Sequence, residues 1–339
     1  MTSAAGEPRV THFNDCANVA LTLVQAAAAQ GHHWNFVPPS DVRPPEGFTS
    51  SPAGRARQLP YVARHLKMLL TSDVIHIHYA TAAALLEHGF LPRRPYLLHL
   101  HGTDIRKQWL EPSTRDQVQR AIDGAHTVFY SNLDTADNAL AARPDARYMP
   151  ALLRPETLPR WAPQAQAGGQ RKVVFASRWD DSKGLETQLE FAELLVKAVP
   201  DSTKIVGLDW GPGAASAKAL GVELVPKMSH PDYLAYLASA DLVVGQSTGL
   251  LGVSELEAMG IGPVVACPGR QMEGPAGAPP VLQGSPLELA EQAREVLRDP
   301  VTAAEQTDAR QWVLKNHRAD AWIPVLQDLY GSAADHRSR

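Results

Sequence analysis

Cysteine is scarce: Cys16 and Cys267 are the only two thiols. Two thiols make neither a disulfide framework nor a zinc cage, so a reducing, cytoplasmic setting is the simplest expectation. Long apolar runs are missing as well. The stretch Met1 to Pro8 lacks an apolar core of the signal-peptide kind, and the longest alanine run, Ala26 to Ala29, lies in a helical pattern stopped by Gly31. No integral membrane segment is therefore expected. Charge of one sign is also lacking. The formal net charge is −4, there is no long basic stretch, and the Arg93–Arg94 pair is too small to hold a polyanion, so nucleic acid is not an expected partner. No Gly-x-Gly-x-x-Gly follows the first strand of either half, which argues against a nicotinamide dehydrogenase.

What is present is material for two cores. A chain of 339 residues, 44% apolar and 20% charged, exceeds the size at which one core keeps growing. Short apolar runs alternate with helical periods, the pattern of βαβ units on a mainly parallel sheet. The first half predicts strands at Arg9–Phe13, Asn35–Val37, Val74–His78, Tyr96–His101 and Thr127–Tyr130, with helices over Asn18–Gln30 and Arg57–Leu70. Residues 150–169, rich in Pro, Gln, Ala and Gly, read as a linker. Alternation then restarts, with strands at Lys172–Ala176, Thr203–Gly207, Glu223–Val225, Leu242–Gly245 and Pro263–Cys267. Helices are predicted over Leu185–Ala198, Ala214–Leu220, Pro231–Ala240, Ser254–Met259, Ser285–Leu297, Thr302–Asn316 and Ala321–Tyr330. The expected organisation is an N-terminal Rossmann-like domain over 1–150, a linker over 151–170, a C-terminal Rossmann-like domain over 171–320, and a final helix and tail over 321–339. Ligands of such sheets bind at the carboxyl ends of the strands.

Two stretches of the second half carry chemistry. After the strand ending at Ala176, a loop presents Arg178 and Lys183 five residues apart. Two cations fixed there would neutralise a leaving diphosphate without a divalent metal; the plainer alternative is a pair of solvated loop charges. Further on, a strand runs through Gly249-Leu250-Leu251-Gly252 into a helix starting near Val253 or Ser254. Glycine lets backbone N–H groups approach a ligand, and a helix start favours negative charge. Glu257 would accept the hydroxyls of a ribose, or simply suit the helix dipole; Glu255 lies on another face and reads as structural.

In the first half, His76-Ile-His78 and His99-Leu-His101 each place two imidazoles on one face of a strand. Convergence of these rings raises a metal-site reading. With no carboxylate or further histidine cluster nearby, a satisfied core or cleft histidine is the better reading of His76 and His99, and no metal is expected. After the first strand, Asn14, Asp15 and Asn18 either hydrogen-bond a polar ligand or cap the helix that follows.

Arg178 and Lys183 after a strand, then Glu257-Ala-Met-Gly-Ile-Gly-Pro-Val-Val-Ala266, resemble the C-terminal domain of family 4 glycosyltransferases of the GT-B fold. That resemblance implies an α/β protein of two Rossmann-like domains facing a central cleft. It implies donor-diphosphate binding by Arg178 and Lys183, ribose binding by Glu257, and a nucleobase held by the backbone in Val225–Asp232, which makes Lys227 and Met228 donor-binding candidates. His101-Gly-Thr-Asp104 resembles the His-Gly-x-Asp segment of the family's first domain, so His101 is the catalytic candidate there. Asn14, Asp15, Asn18, His78 and Asp104 are the acceptor-binding candidates. Two departures stand out. The family's first motif glutamate falls at Gly249, and the Gly-rich turn common after the first strand is replaced by Asn14-Asp15-Cys16-Ala17-Asn18.

The implied reaction is transfer of a sugar, with retention, from a nucleotide-sugar donor to a hydroxyl-bearing acceptor, small molecule or glycan. It needs no cofactor and no metal. No carboxylate pair at glycosidase spacing is recognisable, so a covalent glycosyl-enzyme is not the preferred reading. Alternatives are a non-catalytic nucleotide-sugar binder, a sugar-nucleotide epimerase, and a metal hydrolase built on the His-x-His pairs.

Overall fold

A computed structural model describes residues 6–45, 47, 51–86, 91–161, 163 and 170–336. Part of the expected linker, residues 162 and 164–169, and the end of the expected tail, 337–339, lie outside that description. The chain forms two compact units: Met1–Leu152 with Ala319–Arg339, and Leu153–Arg318. The last helix, Ile323–His336, thus belongs with the N-terminal residues.

The first unit holds a six-stranded parallel sheet: β1 Val10–Phe13, β2 Asn35–Val37, β3 Val74–His78, β4 Tyr96–Leu100, β5 Thr127–Tyr130 and β6 Arg147–Tyr148, in the order β2-β1-β3-β4-β5-β6. The central strands β1, β3, β4 and β5 are short and buried because helices cover each side, while the edge strands β2 and β6 stay partly exposed. Phe13, Ile75, Ile77, Leu98 and Val128 point into one core; Val10, Val74, Leu97, Phe129 and the last helix's Leu326 and Tyr330 form the other.

The second unit repeats the plan with β7 Lys172–Phe175, β8 Lys204–Leu208, β9 Glu223–Val225, β10 Leu242–Val244, β11 Val264–Pro268 and β12 Leu282–Gly284. Its order is β12-β11-β10-β7-β8-β9, the doubly wound arrangement of dinucleotide-binding sheets. The order reverses between β7 and β10, and in the first sheet between β1 and β3. Those two switch points are where a parallel sheet leaves a crevice outside its strand ends.

Two helix expectations are corrected, and a further helix was not expected. The helix predicted from Arg57 begins at Pro52, because Ser51 caps it by accepting the Gly54 N–H and proline suits the first turn; Pro60 therefore lies inside it. The span Thr302–Asn316 is two helices, Pro300–Thr307 and Ala309–Asn316, interrupted where Asp308 turns left-handed at φ 50°. The helix Pro112–Asp123, its apolar face sparse, carries no expectation above and covers β4 and β5.

Candidate functional site

In the second unit, the loops after β7 and β10 flank the switch point. Gly184 follows Lys183 at φ +77°, and a Cβ there would lie 2.9 Å from the Ser247 carbonyl oxygen. Only glycine lets the two loops touch, and Ser247 N–H donates to the Lys183 carbonyl at 2.9 Å. The Lys183 ammonium in turn donates to Gln246 Oε1 at 2.9 Å. Gln246 itself is held by its N–H to Glu255 Oε1 (3.0 Å) and by its amide to the Leu250 carbonyl (2.9 Å).

Glu255 is buried and accepts a second bond from Gly252 N–H at 2.7 Å, tying the glycine-containing loop to the start of helix Val253–Ile261. The structural role expected of Glu255 is what it performs. The helix's opening amides remain the positive pole beside Leu250, Leu251 and Gly252. Gly249 adopts φ +77°, and a Cβ there would meet the Arg270 carbonyl at 3.1 Å. An L-residue such as glutamate would be strained at this position.

Arg178 leans the other way along the same loop. Its guanidinium donates to Ser182 Oγ at 3.1 Å, stands 3.7 Å from Asp180, and lies 5.5 Å from the centre of the Trp210 ring. Lys227, beyond β9, sits 4.4 Å from that same ring. Two cations on one indole, itself 40% exposed at the end of β8, make an aromatic platform with positive flanks. Arg178 and Lys227 are brought together through Trp210, whereas Lys183 is held by Gln246. Met228 lies half-buried beside Lys227 in sequence. Trp210 and Gln246 were missed by sequence reasoning; their signal was position, immediately after β8 and β10 at the carboxyl ends.

Glu257 is 5% exposed in the middle of its helix, so the dipole explanation fails, that place being taken by Glu255. Burial raises its pKa, opposed by His230, whose Nε2 lies 2.7 Å from Glu257 Oε1. His230 opens the helix His230–Ala238 and is the partner that sequence reading overlooked.

In the first unit, β4 delivers His101, half-buried, to the sheet's carboxyl edge. Gly102 follows at φ +112° because a Cβ would run against the Asn132 amide at 2.5 Å. Asp104, expected to line an acceptor pocket, is wholly buried and saturated by the backbone N–H groups of Ala80 (3.1 Å), His101 (3.1 Å) and Ile105 (3.0 Å). It ties the loop together, and its carboxylate has no surface open to a ligand. Its desolvation outweighs those bonds and lifts its pKa to about 6.

His78 is corrected similarly: fully buried, it lies behind His101, with Nδ1 at 3.1 Å from His101 Nε2 and Nε2 at 3.1 Å from His12 Nδ1. After β1, Asp15 accepts the N–H groups of Ala20 (2.9 Å) and Leu21 (3.4 Å) and so caps helix Val19–Ala29, the plainer of its two readings. Asn14 donates its amide to the His78 carbonyl at 2.8 Å. Asn18 is exposed and makes no side-chain cap bond. Asn14, Ala17 and Asn18 all take positive φ, at 70°, 53° and 60°, so the turn keeps a glycine-like backbone without glycine.

Among the described residues, two imidazole triplets, His12–His76–His78 and His78–His99–His101, bring ring nitrogens within 4.8 Å of one another. Burial holds His12 and His101 near pKa 3 and keeps His76, His78 and His99 well below the ordinary value, so all five rings are neutral near pH 7.

No protein-family model matches the chain, and no curated protein does. Solved structures do. HepE of Anabaena, solved in complex with UDP and glucose, is similar over 96% of this chain and 100% of its own, at 17% identity and TM-score 0.68. Sucrose-phosphate synthase from Thermosynechococcus elongatus is similar over 96% of this chain and 98% of its own, at 16% identity and TM-score 0.64. A candidate UDP-N-acetylglucosamine 2-epimerase from Listeria monocytogenes is similar over 94% of each chain, at 14% identity and TM-score 0.57. The fold is therefore that of GT-B glycosyltransferases, α/β with two Rossmann-like domains.

Proposed function

We propose that the chain is a glycosyltransferase that moves a sugar from a nucleoside diphosphate donor to an acceptor hydroxyl, with retention, as a member of glycosyltransferase family 4. The observation that carries this reading is the cluster at the β7/β10 switch point. Arg178 and Lys227 flank the Trp210 ring, while Lys183 is held by Gln246, whose amide bonds the loop leading into helix Val253–Ile261. A diphosphate is the anion such a set fits, exchanging Ser182 and Gln246 for its oxygens.

The negative charge that builds on the leaving diphosphate would be met by fixed cations and helix amides, with no divalent metal and no cofactor. Trp210 offers a face for a nucleobase, with Lys227 and Met228 alongside. Glu257 reaches a ribose once His230, whose side chain is 54% exposed, swings aside. The Gly249–Gly252 amides take the part of the missing glutamate toward the donor sugar. In the first unit His101 faces the sugar and acceptor, and Asn14 and Asn18 bound the acceptor side. A cytoplasmic protein acting on a soluble acceptor fits this set, and the domain limits 1–150 and 171–320 remain the proposed functional division.

The test is single turnover with a panel of UDP- and GDP-sugars and simple hydroxyl acceptors. Arg178→Ala and Lys183→Ala are each expected to lower turnover about a hundredfold, as loss of an oxyanion donor does. Normal rates in both variants would remove the diphosphate assignment. The similarity to the candidate epimerase favours one other reading: conversion of the donor sugar without any acceptor, which the same assay shows as a new sugar nucleotide.

A further inference from the structure

Five histidines of the first unit, four buried and one half-buried, make a single arrangement. His12 on β1, His76 and His78 on β3, and His99 and His101 on β4 occupy one face of the sheet, in register: His12 stands opposite His76, and His78 opposite His99. Two kinds of ring contact result. His76 lies 4.6 Å from His78 and His99 lies 4.4 Å from His101, centroid to centroid and nearly parallel, so these pairs are stacked face to face.

His12–His78 and His78–His101 differ. Their centroids are 5.3 Å apart, yet their nearest nitrogens are 3.1 Å apart. The difference is about one ring width, so these rings meet end to end, near one plane, nitrogen facing nitrogen. A metal shared at such a junction would need converging lone pairs; here they meet head-on, which is the geometry of an N–H···N hydrogen bond.

The row continues past His12. Its Nε2 lies 3.2 Å from the Tyr330 hydroxyl, which lies 2.7 Å from His76 Nδ1. His101, His78, His12, Tyr330 and His76 form one unbroken hydrogen-bonded chain. Each neutral imidazole has one N–H and one lone pair, so each link holds one proton and all links point the same way. The Tyr330 hydroxyl is fully buried, and accepting from both rings would leave its own proton without an acceptor, so it donates to one of them and two orders follow. In one, the row ends with a buried N–H on His76 Nε2; in the other, with a buried lone pair there. That nitrogen has no partner among the described residues. A buried orphan N–H is rarer than an unfilled acceptor, so the second order is favoured. In it His76 donates to Tyr330, Tyr330 to His12, His12 to His78, and His78 to His101 Nε2. His101 is left with its proton on Nδ1.

We propose that His78, His12, Tyr330 and His76 are positioning residues that lock His101 as the neutral Nδ1–H tautomer, a fixed hydrogen-bond donor toward an uncharged oxygen of the bound sugar or acceptor. Only the choice of ligand rests on the sugar-transfer reading; the tautomer belongs to the free protein. The groups facing His101 are His78 and His99 with their neutral rings, and Asp104, which accepts its backbone N–H. None of these gives His101 a reason to charge near neutral pH.

The experiment is long-range proton–nitrogen NMR of the full chain, tag-free and labelled with ¹⁵N-histidine, with His101→Gln used to assign the ring. The expected result is one form, a protonated Nδ1 and a bare Nε2, unmoved from mildly acidic to mildly alkaline pH. A protonated Nε2, an averaged ring or a titrating ring in the wild-type protein overturns the proposal without need of any variant. In Tyr330→Phe the link between His12 and His76 is cut, and a second His101 form is expected to emerge. A single unchanged form there equally overturns it. Failure to transfer sugar, with the tautomer in place, would count against the functional reading and leave the row intact.

Discussion

A buried carboxylate beside a histidine is held by a balance that substitution can tip. At Glu257 desolvation favours the protonated acid and the His230 imidazole opposes it. His230→Ala is expected to raise the Glu257 pKa further, so nucleoside diphosphate binding weakens in the acidic range where the acid then stays protonated and approaches wild type as pH rises, as calorimetry across pH would read. Gly249 offers a sharper contrast. Placing a glutamate there, Gly249→Glu, asks an L-residue to hold φ +77° with a carbonyl 3.1 Å from its Cβ, so the variant is expected to lose stability and gain no turnover. Thermal unfolding with a donor assay checks both outcomes. Asp104 gives the third residue-scale case. Its pKa rises from 3.8 to about 6 on folding, so the folded state binds the proton more tightly than the unfolded one. Its contribution is therefore full below pH 3.8 and is lost as pH rises through about 6, a slope expected to flatten in Asp104→Asn.

Loops and their glycines show what an element demands. Gly184 carries the contact between the β7 and β10 loops, so Gly184→Ala is expected to cost a few kcal/mol, roughly the strain of a forbidden φ plus a backbone clash. It should also detach Lys183 from Gln246, seen as weaker diphosphate binding. At this scale much was legible: Asn35–Val37, Val74–His78, Thr127–Tyr130, Leu185–Ala198 and Glu223–Val225 run from the first to the last residue expected, because buried parallel strands and a well-patterned helix announce themselves. What was not legible depended on neighbours in space. Trp210, His230 and Gln246 are unremarkable in sequence, and their importance comes from the lateral order β10-β7-β8-β9, which sequence order does not show. Asp15 was legible as a helix cap; Asp104 has the residue type of a ligand-binding group, yet the backbone N–H groups of Ala80, His101 and Ile105 that occupy it meet only in the folded chain. The histidine pairs were visible as pairs; that His12 and Tyr330 join them follows only from the register of β1 with β3 and from the last helix.

For the whole molecule, each unit has its own sheet and its own core, so residues 153–318 are expected to fold alone and to gain thermal stability from nucleoside diphosphates by mass action. A flat melting profile for that fragment across uridine and guanosine diphosphates would contradict a donor site contained in the second unit. The fragment's ends are favourable to excision. Leu153 pairs with Arg318, and its N–H donates to the His317 carbonyl at 2.7 Å, so the chain enters and leaves this unit side by side. The first unit enjoys no such independence. Its strands are all made before residue 152, yet Tyr330, Leu326 and Ile323, which close one face of its sheet, come after the entire second unit has been synthesised. On the ribosome, then, the earliest part of this protein must wait for the latest, its imidazole-lined face uncovered until the final helix arrives.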